Sequence, residues 1–278
     1  MAGMKESQPQ ARRKIVVVKG GGDLGTGVVH RLHRAGFRVL ITELAQPLVI
    51  RRAVALAAAI YQGVVTVEGV VGRRVQTDAE IATAWQNDEI PVLADPRATV
   101  VARLDPLAIV DAMIAKRNLG THIDDAPIVV ALGPGFIAGV DAHAVVETQR
   151  GHYLGRVILD GTAAPDSGVP GSTAGVTANR VLRAPVSGRF EGVCQIGERV
   201  RAGQVVAHVD GEPVCAAIDG VLRGLLADGL DVQTGFKVGD VDPRGVVDHC
   251  FTVSDKALAV GGGVLEALLF LGRQKGLI

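Results

Sequence analysis

A glycine-rich stretch near the start of the chain has residue types that suit the binding of a phosphate. Residues 20–27 read Gly-Gly-Gly-Asp-Leu-Gly-Thr-Gly and follow a short apolar run. Without Cβ atoms a phosphate can approach the backbone N–H groups, and a helix that follows points the positive end of its dipole at the anion. Glu43 stands 21 residues after Gly22, where a carboxylate can accept hydrogen bonds from ribose hydroxyls. The spacing predicts a βαβ unit that binds a nucleotide-like ligand.

Asp23 departs from the ordinary dinucleotide fingerprint. A carboxylate inside the turn repels a pyrophosphate unless the carboxylate pairs with a cation. Asp23 therefore argues against the interpretation of the chain as an ordinary NAD-dependent dehydrogenase. The alternative interpretation is a glycine turn that serves packing only.

Three later stretches could complete a pocket. Residues 115–121 place two cations and an amide before a glycine, which suits an anionic ligand, or else they form a solvated loop. Residues 133–136 form a sharp turn after an apolar strand, at the strand end where open α/β sheets bind ligands, or a structural turn only. Glu147, Arg150 and His152 could bind a ligand or transfer a proton, or form an exposed turn with a local ion pair.

The candidate site follows from these stretches. Cys250 follows a histidine and precedes Ser-Asp-Lys, and a neighbouring cation can lower a thiol pKa, so it is the one cysteine that we nominate as catalytic; a buried structural thiol is the alternative. No zinc-type cysteine cluster is visible, and no metal ligands are nominated. The candidate cofactor-binding residues are Gly20, Gly21, Gly22, Asp23, Gly25, Thr26, Gly27, Glu43, Lys116, Arg117, Asn118, Gly133, Gly135 and Phe136.

The elements that must position these residues alternate between strand and helix. The apolar pattern predicts strands at 15–19, 37–43, 91–96, 107–113, 128–132 and 142–147. It predicts helices at 28–36, 47–61 and 79–85, a hairpin at 64–71, and a glycine turn at 261–263 that leads into a closing helix. This order predicts an α/β fold with an N-terminal, Rossmann-like parallel sheet.

The second half of the chain contains an internal repeat with an offset of 32 residues. Ala184 matches Ala216, Gly188 matches Gly220, and the series continues to Asp210 and Asp242. Two short β halves that close on each other predict a small barrel-sandwich of the biotinyl or lipoyl type. The joint between the halves, residues 209–214, contains no lysine, so we expect no covalent biotin or lipoate.

Composition narrows the functional class. The chain has 278 residues, and its 29 basic and 29 acidic residues cancel, which favours neither a nucleic-acid nor a membrane surface. Three scattered cysteines predict a reducing, cytoplasmic setting.

The predicted organisation is a polar tail at 1–14, a Rossmann-like domain at 15–160, a linker at 161–180, a barrel-sandwich at 181–244 and a C-terminal segment with a helix at 245–278.

The order of several motifs resembles the YqeB family of selenium-dependent molybdenum hydroxylase system proteins. The residues that carry the resemblance are 20–27, 31–37, 43–47, 115–118, 132–136, 147–152, 237–244, 254–257 and 261–263. The family is in turn distantly similar to XdhC-type maturation factors, which pair a Rossmann domain with cofactor handling.

The resemblance implies accessory work on a molybdenum hydroxylase, with the apoenzyme as partner and a molybdopterin-type or dinucleotide cofactor as ligand. We therefore expect a maturation factor that is non-catalytic rather than an enzyme, and that could form a homo-oligomer. Three alternatives stay open: an NAD(P)-dependent oxidoreductase, transfer of sulfur or selenium through Cys250, and a protein-binding scaffold.

Overall fold

The computed structural model describes residues 15–166, 168, 171 and 173–278, and the polar tail predicted at 1–14 lies outside this range. The strands are β1 (Ile15–Lys19), β2 (Arg38–Glu43), β3 (Val64–Val67), β4 (Val70–Val75), β5 (Ile90–Ala94), β6 (Ala108–Asp111), β7 (Ile128–Leu132), β8 (Ile137–Ala138), β9 (Ala144–Val146), β10 (Val157–Ile158), β11 (Gly161–Thr162), β12 (Val181–Arg183), β13 (Gly188–Gly192), β14 (Arg199–Val200), β15 (Val205–Val209), β16 (Glu212–Cys215), β17 (Gly220–Leu225), β18 (Asp231–Val232) and β19 (Lys237–Asp242).

The helices of the described residues are fewer than the strands. They are α1 (Asp23–Arg34), α2 (Ala59–Gln62), α3 (Asp78–Gln86), α4 (Val101–Leu104) and α5 (Asp255–Gln274). Single 3₁₀ turns lie at Arg52–Val54, Leu56–Ala58, Ile123–Asp125, Ala178–Arg180 and Val247–Cys250.

The N-terminal half is built on a nine-stranded sheet in the order β10-β9-β7-β6-β1-β2-β5-β4-β3. Its central strands are parallel, as the alternation of strand and helix predicts. Both edges are antiparallel, because β3 pairs with β4 through the predicted hairpin and β10 folds back on β9. The sheet is therefore mixed, and the prediction of a Rossmann-like parallel sheet is wrong.

The helix predicted at 47–61 is largely replaced by irregular chain. Two 3₁₀ turns precede the four residues of α2, and the backbone of this segment bonds to other parts of the fold. Ala57 donates its N–H to Gly21 O at 2.9 Å, and Leu56 donates to the Thr26 hydroxyl at 2.9 Å. Tertiary hydrogen bonds thus override the helix propensity of an alanine-rich stretch.

The second half forms two four-stranded antiparallel sheets, in the orders β12-β19-β17-β14 and β16-β15-β13-β18. The 32-residue repeat is visible in the strand bounds, because β13 and β17 begin at 188 and 220, and β15 and β19 at 205 and 237. Each sheet takes two strands from each repeat, and residues from both sheets share one apolar core. The repeats are interleaved between the two sheets and do not close on each other as separate halves, so the predicted biotinyl- or lipoyl-like barrel-sandwich is wrong.

Successive residues of β1 point to opposite faces of the large sheet, and each face has its own core. Val16 and Val18 lie in the core that includes α1 and α5, whereas Val17 lies in the core that includes α3. Helix α5 begins at Asp255, with Ser254 accepting a hydrogen bond from Ala257 N, so residues 261–263 lie inside the helix and form no turn.

Glycines let α5 lie unusually close to α1. A Cβ on Gly27 would lie 2.5 Å from Ala257 O, and a Cβ on Gly261 would lie 2.4 Å from Gly27 O. A Cβ on Gly263 would lie 2.2 Å from Gly155 O, in the chain that leads into β10. The C-terminal helix is therefore held against the N-terminal half by contacts that only glycine permits.

Among the helices of the described residues, none has the length and apolar character that a membrane crossing requires.

The helix crossing predicts opposite effects for two glycine substitutions. Gly27→Ala forces a Cβ into backbone atoms of α5, and we expect it to lower the free energy of unfolding by about 2 kcal/mol or more. Gly262→Ala is the matched control, because a Cβ there meets no atom within 4 Å. The control should raise the free energy of unfolding by about 0.5–1 kcal/mol through helix propensity. Urea unfolding followed by circular dichroism measures both, and equal effects would contradict the close crossing.

Candidate functional site

The amides of the glycine turn are used by the protein itself. Gly20 donates its N–H to Thr42 O at 2.8 Å, and Gly21 donates to Glu43 Oε2 at 2.8 Å. The other carboxylate oxygen of Glu43 accepts from Leu44 N at 2.9 Å. Burial raises the pKa of Glu43, while these two backbone hydrogen bonds act in the opposite direction. We predicted that the Glu43 carboxylate accepts hydrogen bonds from a ribose. It instead accepts one from Gly21 N, in the turn that we predicted to bind a phosphate.

The remaining glycines of the turn are placed by close packing. A Cβ on Gly25 would lie 2.1 Å from Gly20 O, and a Cβ on Gly21 would lie 2.9 Å from the Ile41 side chain. Gly22 is the N-cap of α1, and the Thr26 hydroxyl donates to Gly21 O at 3.1 Å. Each of these contacts is within the protein.

Asp23 has the cationic partner that its position requires. Its Oδ2 accepts from Arg51 Nη1 at 2.8 Å, and Arg51 also donates to His249 O at 3.0 Å. Arg51 is buried, and its neighbour Arg52 donates to Leu225 O at 2.7 Å. These two arginines tie the loop after β2 to the second half of the chain, and the ion pair with Asp23 forms part of the wall of a cleft.

The cleft has a volume of about 730 Å³ and lies between the large sheet and the sheet that contains β19. Its walls come from the start of α1, the loops after β2, β6, β7 and β9, the first turn of α5 and residues of the antiparallel sheet. The cationic residues that line it, within the described chain, are Arg51, Lys116, Arg150, Arg180, Arg223, Lys237 and Lys256. The acidic ones are Asp23, Asp166 and Asp240.

The arginines of the cleft are neutralised one by one. Arg180 pairs with Asp240, while Arg150 makes a two-bond contact with Asp255, at 2.7 and 3.0 Å. Arg223 lies 3.7 Å from Asp242, which also pairs with Arg244. At the rim, Lys116 pairs with Asp166 at 2.7 Å.

Lys237 and Lys256 differ from the other cations. Within the described chain neither ammonium has a hydrogen bond or an ion pair. Burial lowers the pKa of both lysines; Asp240 partly offsets the effect at Lys237, and Arg150 adds to it at Lys256. Both side chains are only partly exposed, so their charge is incompletely solvated. An anion in the cleft would supply the partner that the described residues do not.

The loop from 114 to 121 contributes little to the cleft beyond Lys116. Asn118 caps its own turn, because its side-chain oxygen accepts from Gly120 N and Thr121 N at 2.9 and 2.8 Å. Arg117 is exposed, and its backbone lies against Gly135, where a Cβ would be 2.6 Å from Arg117 Cα.

The turn after β7 serves packing at most of its positions. A Cβ on Gly133 would lie 2.5 Å from the Thr148 hydroxyl oxygen, and Phe136 is buried in the core that includes α3. Pro134 is the residue of this turn that lines the cleft.

The three residues considered as a cluster after β9 have separate partners. Buried Glu147 accepts from Gln149 N and Ala164 N, each at 2.7 Å, and Arg150 binds Asp255. His152 is exposed and stacks edge-on with Tyr153. Of the three, Arg150 lines the cleft.

Cys250 is fully buried, and its thiol faces Leu222 O at 3.8 Å. Burial raises the pKa of this thiol, although Arg223 and Arg51 oppose the change. A thiol that stays protonated and unexposed is a poor nucleophile.

Among the described residues, no group of three or more His, Cys, Asp and Glu side chains could hold a metal ion.

Sequence reasoning missed the residues that give the cleft its charge. Lys237 and Lys256 stand in motifs that carry the family resemblance, 237–244 and 254–257, but neither received a role. Arg51 falls in the stretch predicted as helix. The two lysines are separated by 19 residues and lie in different layers, so spacing alone does not reveal their proximity to one cleft.

The Arg150–Asp255 pair predicts a pH effect on stability. The hydrogen bonds from Arg150 are the main cause that lowers the pKa of Asp255 from 3.8 to about 2. A depressed carboxyl pKa stabilises the fold above pH 3.8, and this contribution is lost as the pH falls toward 2. Asp255→Asn should therefore lower the free energy of unfolding by up to about 1 kcal/mol at pH 7 and by nothing near pH 2.

Urea titrations at several pH values measure that difference. Glu266→Gln, at an exposed position of the same helix, is the control and should change the free energy of unfolding at pH 7 by less than Asp255→Asn does. A pH-independent loss in Asp255→Asn would contradict the linkage.

Comparison with known proteins gives one strong sequence relationship. No protein-family model matches the chain. The chain is 48% identical over 271 residues to "Uncharacterized protein YqeB" of Escherichia coli K12, a match that covers 98% of the chain and 50% of that protein. The chain thus spans about half the length of this curated relative.

Solved structures show only weak similarity. An aspartoacylase family protein from Mesorhizobium loti is 11% identical with a TM-score of 0.27, covering 82% of this chain and 84% of that one. TcdA (CsdL) is 14% identical with a TM-score of 0.35, covering 98% and 91%. A succinylglutamate desuccinylase/aspartoacylase from Rhodobacter sphaeroides is 16% identical with a TM-score of 0.26, covering 82% and 84%. At these TM-scores the similarities support no functional argument.

The predicted function is corrected by the structure of the candidate site. In the structure the first amides of the glycine turn bind protein groups, and Cys250 is buried. The maturation role and its oxidoreductase and chalcogen-transfer alternatives are therefore wrong.

The molybdopterin-type or dinucleotide cofactor, the apoenzyme partner and the homo-oligomer stay predictions. What the comparison does show is a relationship, because nearly half of the residues are identical over almost the whole chain. The chain belongs to the YqeB family.

Proposed function

We propose that the chain binds a small anionic molecule in the cleft between the large sheet and the antiparallel sheet. The observation that carries this proposal is the pair of lysines Lys237 and Lys256, which have no partner among the described residues and line a cavity of about 730 Å³. Ligand pockets for small molecules have volumes of roughly 300–1,000 Å³, so the cavity has a suitable size.

The charge of the cleft supports an anion rather than a cation or an apolar ligand. The arginines already have acidic partners, so the two lysines leave uncompensated positive charge in a concave, partly dehydrated site. Such a site concentrates field lines and attracts anions. Thr148 and Gln149 also line the cleft and provide neutral hydrogen-bonding groups.

Isothermal titration calorimetry with citrate and with pyrophosphate tests the proposal. We expect both anions to bind, and the Lys237→Met/Lys256→Met double variant to bind them at least about tenfold more weakly, because hydrogen bonds to charged groups contribute about 1.5–3 kcal/mol each. Raising the salt concentration from about 0.05 to 0.3 M should weaken binding. Lys275→Met is the control, because Lys275 lies beyond the other end of α5 and donates to Pro127 O.

Choline serves as a cationic ligand that should not bind. Equal affinities in the double variant and in Lys275→Met would contradict a role for the cleft, and so would the absence of heat with both anions.

The same lysines predict a gain in stability when their charge is removed. Burial lowers the pKa of both below the ordinary 10.5, so the fold disfavours their charged form. Lys237→Met and Lys256→Met should each raise Tm by about 1–3 °C at pH 7 in the absence of ligand. The gain should shrink as the pH rises toward 10.5, where the wild-type lysines lose their charge. Differential scanning fluorimetry measures it, and a lower Tm in both variants would show that the ammonium groups stabilise the fold.

A further inference from the structure

We propose that the molecule bound in the cleft carries two separate anionic groups and bridges the cleft, with one group on Lys256 and the other on Lys237. This inference rests on the proposed function and names the class of ligand. Dicarboxylates and diphosphates share the required chemistry.

The two lysines belong to different parts of the fold. Lys256 lies in the first turn of α5, which glycine contacts hold against α1 in the N-terminal half. Lys237 is the first residue of β19, between β12 and β17 in an antiparallel sheet of the second half. Both lysines line the cleft, so two ammonium groups without a partner among the described residues are contributed by different parts of the fold.

Each lysine stands beside an arginine that is already neutralised. Besides burial, the positive charge of Arg150 lowers the pKa of Lys256, and that of Arg180 lowers the pKa of Lys237. Arg150 is bound by Asp255, and Arg180 by Asp240. Beside these paired arginines, the cleft therefore has two lysines, one from β19 and one from α5, that have no partner among the described residues.

The cavity, at about 730 Å³, has room for a molecule larger than a single small oxyanion. An isolated carboxylate that binds one lysine leaves the other, which is only partly exposed, without a partner among the described residues. A molecule with an anionic group at each end can neutralise both.

Matched carboxylate pairs test the bridge by calorimetry. Succinate is compared with butyrate and glutarate with pentanoate, so that each pair has equal carbon number and differs in the second carboxylate. Methylenediphosphonate and methylphosphonate form the corresponding phosphorus pair. The better-binding dianion should bind at least about tenfold more tightly than its monoanion.

Single variants then separate the two contacts. Lys237→Met and Lys256→Met should each reduce binding of the preferred dianion to the level of its monoanion, whereas Lys275→Met should retain the wild-type preference. Circular dichroism confirms that each variant is folded. The compound pair with the larger ratio of dianion to monoanion affinity identifies whether the ligand carries carboxylate or phosphate-like groups.

The outcomes distinguish the bridge from the binding site itself. If mono- and dianions bind equally, or only one lysine variant affects the dianion, the bridge is overturned while anion binding in the cleft stands. If neither these compounds nor citrate and pyrophosphate bind, both proposals fall. If Lys275→Met weakens binding as much as the cleft variants do, binding follows net charge and the bridge is likewise overturned.

Discussion

The close contact between α1 and α5 is the constraint on which the rest of the structure depends. Gly27 and Gly261 remove two side chains at the crossing, so the backbones approach to distances that a Cβ would prohibit. This contact brings a helix from the end of the sequence onto the face of a sheet that begins at residue 15. The first turn of α5, with Lys256, is thereby placed beside the start of α1, with Asp23, and one wall of the cleft is formed.

The electrostatic character of the cleft follows from its lining, in which basic residues outnumber acidic ones. Burying a charge is costly unless it is paired, and the fold pairs its arginines with carboxylates that lie in or behind the walls. Arg51 is paired in the same way, because its guanidinium donates to the Asp23 carboxylate and also to the backbone carbonyl of His249. Lys237 and Lys256, which have no partner among the described residues, are an exception to this pairing, and stability alone does not explain such an exception at a concave surface.

Sequence patterns predicted the local elements better than their assembly. The strands at the centre of the large sheet, the hairpin and the 32-residue repeat follow from apolar periodicity and turn residues, and all are present. The helix predicted at 47–61 is mostly absent, because Ala57 and Leu56 donate backbone hydrogen bonds to the first βαβ unit. Local sequence patterns do not show such long-range hydrogen bonds. The assembly of the repeat also fails, because spacing shows that two halves are alike but does not show how their strands pair. The charged residues of the cleft come from distant segments, so only the tertiary structure brings them together.

The glycine turn shows why a fingerprint of small residues is an ambiguous sign of phosphate binding. Missing side chains permit an anion to approach, and they equally permit the approach of backbone or of a carboxylate from the same chain. Here Glu43 accepts from Gly21 N, and Gly25 lies against Gly20 O. A carboxylate from β2 thereby satisfies an amide that a phosphate would otherwise bind. The burial of that carboxylate, which raises its pKa, is the cost of closing the turn from within. The proposed ligand of the cleft would therefore contact lysines that lie beyond the turn, and the positive charge available to it is carried by side chains rather than by the backbone.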